Sequence, residues 1–95
     1  MLFVIHGLDA DGALPIRLAN YDAHKAFLAD TSAYGVAIVM SGPLVTEDGT
    51  TMIGSLFVVE AADLETVRRF NAADPFACAD VWKSLSINGF IRRQG

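Results

Sequence analysis

Four short apolar segments, arranged around two stretches with helical periodicity, most constrain how this 95-residue chain can fold. The segments are predicted strands and lie at residues 2–8, 36–45, 52–60 and 84–92. A polar loop with a glycine, residues 46–50, separates the middle two, as in a β-hairpin. The order is therefore βαββαβ, and right-handed crossovers convert it into a ferredoxin-like α+β fold, a four-stranded antiparallel sheet with two helices on one face.

The two helical stretches have recognisable ends. The first begins at Pro15 and is predicted as one helix of about four to five turns. Asp63 is the predicted N-cap of the second, which ends at Asp74 because the residue before Pro75 is disfavoured in helical conformation. A further short turn is predicted between Phe76 and Trp82.

The composition is that of one folded domain, residues 1–95, because 53% of the residues are hydrophobic and only 19% are charged. The formal charge of −4 argues against nucleic acid as a partner. Cys78 is the only cysteine, which excludes an internal disulfide. The apolar start lacks a positively charged leading segment, and no run of about 18 apolar residues occurs, so we expect a cytoplasmic protein with no membrane association.

The first three strands are apolar at both alternating positions. Leu2 and Val4 alternate with Phe3 and Ile5, for example. Two helices cover only one face of a sheet, so the apolar residues of the other face need a second cover. A second copy packing sheet to sheet is the simplest solution, and we predict a homodimer.

The first helix carries a stripe of residues at helical spacing: Arg17, Tyr21, His24 and Leu28. His24 is therefore expected to be at least partly buried. Such a histidine is either a core residue satisfied by a hydroxyl or carbonyl, or a functional residue with a carboxylate partner. Asp74 is the best candidate partner, although Asp-Pro also serves as a plain helix-terminating turn. Arg17 is suited either to a substrate carboxylate or to a surface ion pair.

Small residues and hydroxyls interrupt the apolar strands at Ser41-Gly42-Pro43 and at Gly54-Ser55. They indicate a bulge, a close backbone approach or the floor of a pocket. His6, on the first strand, is placed either in the same cleft or at the interface between copies. Asp9 and Asp11 lie in a predicted flexible loop and are interpreted as solvated turn residues, the alternative being a loop that closes over a pocket. The sequence contains no G-x-S-x-G, H-E-x-x-H or C-x-x-C motif, so no metal site is predicted.

One ordered set of residues is distinctive in a chain of this length: Arg17, His24, Ser41-Gly42-Pro43-Leu44, Gly54-Ser55 and Asp74-Pro75-Phe76. This set resembles the YciI-like family, also called YCII-related domain proteins, over nearly the whole chain. The resemblance implies ferredoxin-like domains assembled as a dimeric α+β barrel. It also implies a site that pairs His24 with Asp74, with Ser55 close by.

In such a pair Asp74 fixes the imidazole tautomer and His24 moves a proton on a small organic molecule. Relatives of this barrel include muconolactone isomerases and a dehydrochlorinase, so the resemblance implies isomerase, lyase or dehydrochlorinase-like chemistry without a metal or organic cofactor. The residues predicted to bind substrate are Ser55, Arg17, Gly54, Gly42 and His6. The alternatives are a non-catalytic dimeric domain that binds a small ligand or assists a larger enzyme, and a structural dimer in which the contact only stabilises helix packing.

Overall fold

The computed structural model describes residues Met1–Gly95. It contains four strands: β1 (Leu2–Asp9), β2 (Ala37–Val45), β3 (Met52–Glu60) and β4 (Trp82–Phe90). They form one antiparallel sheet in the order β2-β3-β1-β4, with helices packed on one face. The predicted α+β fold with a four-stranded antiparallel sheet is confirmed.

The first helical stretch is two helices rather than one, which corrects the sequence prediction. They are α1 (Leu14–Ala19) and α2 (Tyr21–Ala29), and Asn20 between them has φ −105° and ψ 5°, outside the helical range. The Asn20 side-chain Nδ2 donates to the carbonyl of Ile16 at 2.9 Å. Asparagine side chains readily bond to nearby backbone groups in this way, which lowers the preference of asparagine for helix interiors.

The second helical stretch follows the prediction closely. α3 (Leu64–Ala73) begins after Asp63, whose Oδ1 accepts from the backbone N–H of Thr66 at 2.8 Å. Asp74 then has ψ 132°, as expected for a residue before proline, and separates α3 from the short helix α4 (Pro75–Cys78).

The last strand begins at Trp82, two residues before the predicted start. The cause is a β-bulge: Leu8 pairs with Ser84 but Asp9 pairs with Trp82, so Lys83 has no partner of its own. An extra residue in one strand breaks the alternation of side chains between faces, and alternation was the signal for this strand.

The core lies between the helices and one face of the sheet. Its buried residues are Phe3, Ile5, Val36, Phe57, Val59, Ala61, Val67 and Phe70. The other face presents the alternate residues of the two central strands, Leu2 and Val4 from β1 and Leu56 and Val58 from β3, and no helix covers them. The sheet is therefore apolar on both faces, as the sequence indicated. None of the helices has the length and apolar character needed to cross a bilayer.

Candidate active site

A cavity of about 370 Å³ opens where α1 and α2 meet the sheet. Its walls combine aromatic and aliphatic side chains with a few polar groups, and they include Arg17, Tyr21, His24, Ser41, Ser55 and Phe76. Clefts of this size and mixed lining are typical of small-molecule sites.

The imidazole of His24 contacts the carboxylate of Asp74 in this wall. Nδ1 of His24 lies 2.8 Å from Oδ1 of Asp74. His24 is 9% exposed and Asp74 is 0% exposed, so little water competes for the contact. When the carboxylate is ionised and the imidazole is neutral, Nδ1 carries the proton and donates it to Oδ1, which leaves the lone pair of Nε2 free. The imidazole of His24 makes no other hydrogen bond in the protein.

Phe76 holds both members of this pair. Its backbone N–H donates to Oδ1 of Asp74 at 2.9 Å, which orients the carboxylate. Its ring stacks on the imidazole of His24 with centroids 3.9 Å apart. Phe57 contacts the imidazole edge-to-face at a centroid distance of 6.1 Å. The ring of His24 is thus fixed by one hydrogen bond and two aromatic neighbours.

A second polar network centres on Arg17, which is 3% exposed. Nε donates to Oδ2 of Asp9 at 2.9 Å and Nη2 donates to Oδ1 at 2.8 Å, a bidentate ion pair. Nη2 also donates to Oγ of Ser55 at 2.8 Å, and Nε1 of Trp82 donates to the same Oγ at 3.2 Å. Gly7 leaves room for the indole, since a Cβ there would lie 2.9 Å from Trp82 Cδ1.

The domain profile that describes the YCII-related domain family matches residues 1–91. The chain belongs to this family. Protein YciI of Escherichia coli O6:H1 is 30% identical to it over 95 residues, covering 95% of this chain and 96% of the relative.

Solved structures extend the comparison. A 5-chloro-2-hydroxyhydroquinone dehydrochlorinase (TftG) from Burkholderia phenoliruptrix AC1100, in complex with 2,5-dihydroxybenzoquinone, has a TM-score of 0.86 and is 32% identical, with 96% of this chain and 94% of that chain covered. Rv0793 of Mycobacterium tuberculosis has a TM-score of 0.51 at 8% identity, covering 99% of this chain and 97% of that chain, and shares the fold alone.

This YCII-related domain brings only some of the predicted site residues together. Arg17, His24, Gly42 and Ser55 line the cavity, and Asp74 contacts it through His24. His6 and Gly54 do not line it, which differs from the prediction.

His6 alternates with the buried residues of β1 and is exposed on the opposite face of the sheet. Gly54 is buried against the neighbouring strand, where a Cβ would lie 2.3 Å from the carbonyl oxygen of Gly7. Gly54 therefore permits a close approach of β1 and β3, the structural reading that the sequence had left open.

Sequence reasoning missed two residues of the site, Asp9 and Trp82. Asp9 was interpreted as a solvated turn residue, yet its side chain is 8% exposed in the ion pair with Arg17. The sequence did contain an indication of this, because Asp9 lies an even number of residues from Phe3 and Ile5. In a strand such residues face the same side of the sheet, here the core. Trp82 was not assigned to β4, because the bulge at Lys83 interrupts the alternation from which that strand was predicted. No group of three His, Cys, Asp or Glu side chains is placed to hold a metal ion.

Proposed function

We propose that this domain is a small-molecule enzyme in which His24 and Asp74 transfer a proton on a conjugated, oxygen-bearing ligand. The observation that carries the proposal is the 2.8 Å contact between His24 Nδ1 and Asp74 Oδ1 in the wall of the cavity. A buried carboxylate behind a histidine is the arrangement that fixes a tautomer and stabilises the imidazolium that forms when the ring takes up a proton.

The proposed steps follow from the hydrogen-bond inventory. With the Nδ1 proton held by Asp74, Nε2 is the basic atom and accepts a proton from the ligand. The same Nε2–H then returns the proton to another atom of the ligand, or to a leaving group. Isomerisation and elimination both require this exchange, and neither requires an external oxidant or reductant.

The ligand class rests on the shape of the cavity and on one relative. The Phe57 and Phe76 rings and Pro43 provide apolar walls for a planar ring. The dehydrochlorinase with 32% identity acts on a chlorinated hydroxyhydroquinone and was solved with a dihydroxybenzoquinone. We therefore propose hydroxylated quinols and quinones as the class, with Arg17, Ser55 and Gly42 contacting the ligand.

We also propose that two copies of the domain pack through the uncovered sheet face. That face carries half-buried Leu56 and Val58 on β3, with Met40 paired to Val58 and, on the other side of β1, Phe90 paired to Leu2; Met40 and Phe90 are 57% and 43% exposed. A contiguous apolar surface in the middle of a sheet is costly in water, and a second identical face is its simplest cover.

The experiment is chloride release from 5-chloro-2-hydroxyhydroquinone by the wild type and by His24→Asn and Asp74→Asn. We expect both variants to lose about 10²–10⁴-fold in rate, the usual contribution of general acid–base catalysis. His6→Asn is the matched control, because it removes the only other histidine from outside the cavity, and it should retain the wild-type rate.

The same assay separates the alternatives. A wild type that binds 2,5-dihydroxybenzoquinone but releases no chloride from the quinol would indicate a ligand-binding domain without turnover. Wild-type rates in His24→Asn would exclude the proton-transfer mechanism outright.

A further inference from the structure

We propose that Ser55, Arg17 and Asp9 form an oxygen-binding end of the cavity, in which Ser55 donates its hydroxyl proton to an anionic ligand oxygen and Asp9 positions Arg17. This inference rests on the proposed function and narrows its ligand class to enolates, phenolates and hydroxyquinone anions. Asp9 does not line the cavity, so it acts only through Arg17.

The neighbours of Ser55 determine whether its hydroxyl donates or accepts hydrogen bonds. A serine hydroxyl has two acceptor lone pairs and one proton. Both lone pairs are occupied, one by Nη2 of Arg17 at 2.8 Å and the other by Nε1 of Trp82 at 3.2 Å. The hydroxyl proton has no acceptor in the protein, and Ser55 lines the cavity. The unused proton is therefore available to a ligand that offers an acceptor.

Arg17 strengthens this donor without adding net charge. Its pairing with Asp9 is bidentate, and the two side chains are only 3% and 8% exposed. The pair is therefore close to neutral as a unit, so Arg17 is not a free countercharge for a carboxylate. A donated charge-assisted hydrogen bond instead polarises the Ser55 hydroxyl and makes it a better donor.

The donor end and the histidine are neighbours. Cζ of Arg17 lies 4.8 Å from the centre of the Phe76 ring, and the imidazole of His24 stacks on that ring at 3.9 Å. Ser55 and His24 line the same cavity, so a conjugated ring bound in it is placed between the two ends. When Nε2 of His24 takes a proton from a ligand C–H or O–H bond, the electron pair of that bond moves through the conjugated system to the oxygen held by Ser55.

The test compares the binding of 2,5-dihydroxybenzoquinone with that of 2,5-dimethoxybenzoquinone by calorimetry. Methylation keeps the ring and its carbonyls but removes the acidic hydroxyls, so the ratio of the two dissociation constants measures recognition of an anionic oxygen. We expect the wild type to prefer the dihydroxy compound. Ser55→Ala should reduce the preference roughly tenfold to a hundredfold, as for a lost hydrogen bond to a charged group.

Asp9→Asn should also reduce this preference, since an amide holds the guanidinium less firmly, whereas Asp9→Glu should restore part of it. A purely structural role of Asp9 would lower the melting temperature and leave the ratio unchanged. Asp11→Asn is the matched control, because Asp11 is a fully exposed aspartate in the turn directly after β1, and it should behave as wild type.

The outcomes distinguish this inference from the proposed function. If the wild type prefers the dihydroxy compound and Ser55→Ala keeps the full preference, the inference is wrong and the proposed function stands. If the wild type binds neither quinone, the ligand class itself is wrong and the inference fails with it. Asp9→Asn supplies the decisive measurement if Ser55→Ala does not fold.

Discussion

The imidazole of His24 and the ring of Phe76 lie parallel, with centroids 3.9 Å apart and an interplanar angle of 7°. The same phenylalanine donates its backbone N–H to Asp74. Phe76 thus contacts both members of the pair. It follows Pro75, the first residue of α4. The dipeptide Asp74-Pro75 matters for the site because it starts α4 with the backbone N–H of Phe76 directed at the Asp74 carboxylate.

Phe76→Leu should loosen the imidazole while leaving its hydrogen bond available. The backbone donor remains, but the stacked ring is lost, and such aromatic contacts contribute about 0.5–1.5 kcal/mol beyond area burial. We expect a lower free energy of unfolding and altered ¹⁵N and ring-proton NMR signals of His24. Phe27→Leu, which removes a ring stacked on Phe70, should lower stability without changing the His24 signals.

Asp74→Asn should change the tautomer of His24. In the wild type ¹⁵N-detected spectra should show the proton on Nδ1, because a carboxylate accepts from it. An amide presents both an acceptor and a donor, so the variant should populate the tautomer with the proton on Nε2. A wild-type spectrum with Nε2 protonated and Nδ1 free would contradict the assignment of Nε2 as the base.

Gly54→Ala and Gly42→Ala should differ strongly in stability. A Cβ at Gly54 would lie 2.3 Å from the carbonyl oxygen of Gly7, and neither backbone has room to move within the sheet. Overpacking of this kind costs about 1–3 kcal/mol or more. A Cβ at Gly42 meets nothing within 4 Å. Urea unfolding of the two variants would test the difference, and equal midpoints would refute it.

Val58→Lys should separate the proposed dimer. It places a charge in the middle of the uncovered sheet face, where a partner sheet would bury it. Sedimentation velocity at micromolar concentration should give a dimer for the wild type and a monomer for the variant. Ile16→Lys, on an exposed surface of α1, should remain dimeric. A monomeric wild type would end the proposal of a sheet-to-sheet dimer.

Asp63→Ala should destabilise the protein in a pH-dependent way. Hydrogen bonds from the Thr66 hydroxyl and backbone, with a smaller effect of Arg69, hold the pKa of Asp63 below its usual 3.8. A carboxyl with a lowered pKa in the folded state stabilises the fold above its unfolded-state pKa, and this stabilisation is lost as the pH falls through the folded value.

The melting temperatures of wild type and Asp63→Ala should accordingly differ at neutral pH and converge in acid. Asp22→Ala provides the control, because Asp22 also lies in a first helical turn but makes no side-chain hydrogen bond to the backbone. A constant difference between wild type and Asp63→Ala across the acid range would be inconsistent with the capping role.

The strands and the order of elements were predictable because apolar runs and turn residues are local signals. The predicted strand at residues 52–60 coincides with β3 (Met52–Glu60), and Asp63 caps α3 as expected. The break at Asn20 was not predictable from periodicity, because the helical spacing of Arg17, Tyr21 and His24 continues through it.

The site was predictable only in part. Helical spacing placed His24 in the interior, but its contact with Asp74 joins two helical segments and came from family resemblance rather than from local signals. The ion pair of Asp9 with Arg17 connects two consecutive elements, the end of β1 and α1. The alternation of side chains along β1 assigns Asp9 to one face of the sheet. That the guanidinium of Arg17 binds it there is visible only in the folded structure.

The unpaired Lys83 in β4 has a consequence for the chemistry of the cavity. If β4 ran without this bulge, so that Lys83 paired with Asp9, Trp82 would point to the opposite face of the sheet, away from Ser55, with no change in the amino-acid composition of the strand. One lone pair of the serine would then be vacant, and the hydroxyl would no longer be committed to donating. In related chains whose last strand pairs regularly at this point, with a residue in the place of Lys83 opposite that of Asp9, ligand preference should therefore change as strongly as after a substitution in the cavity itself.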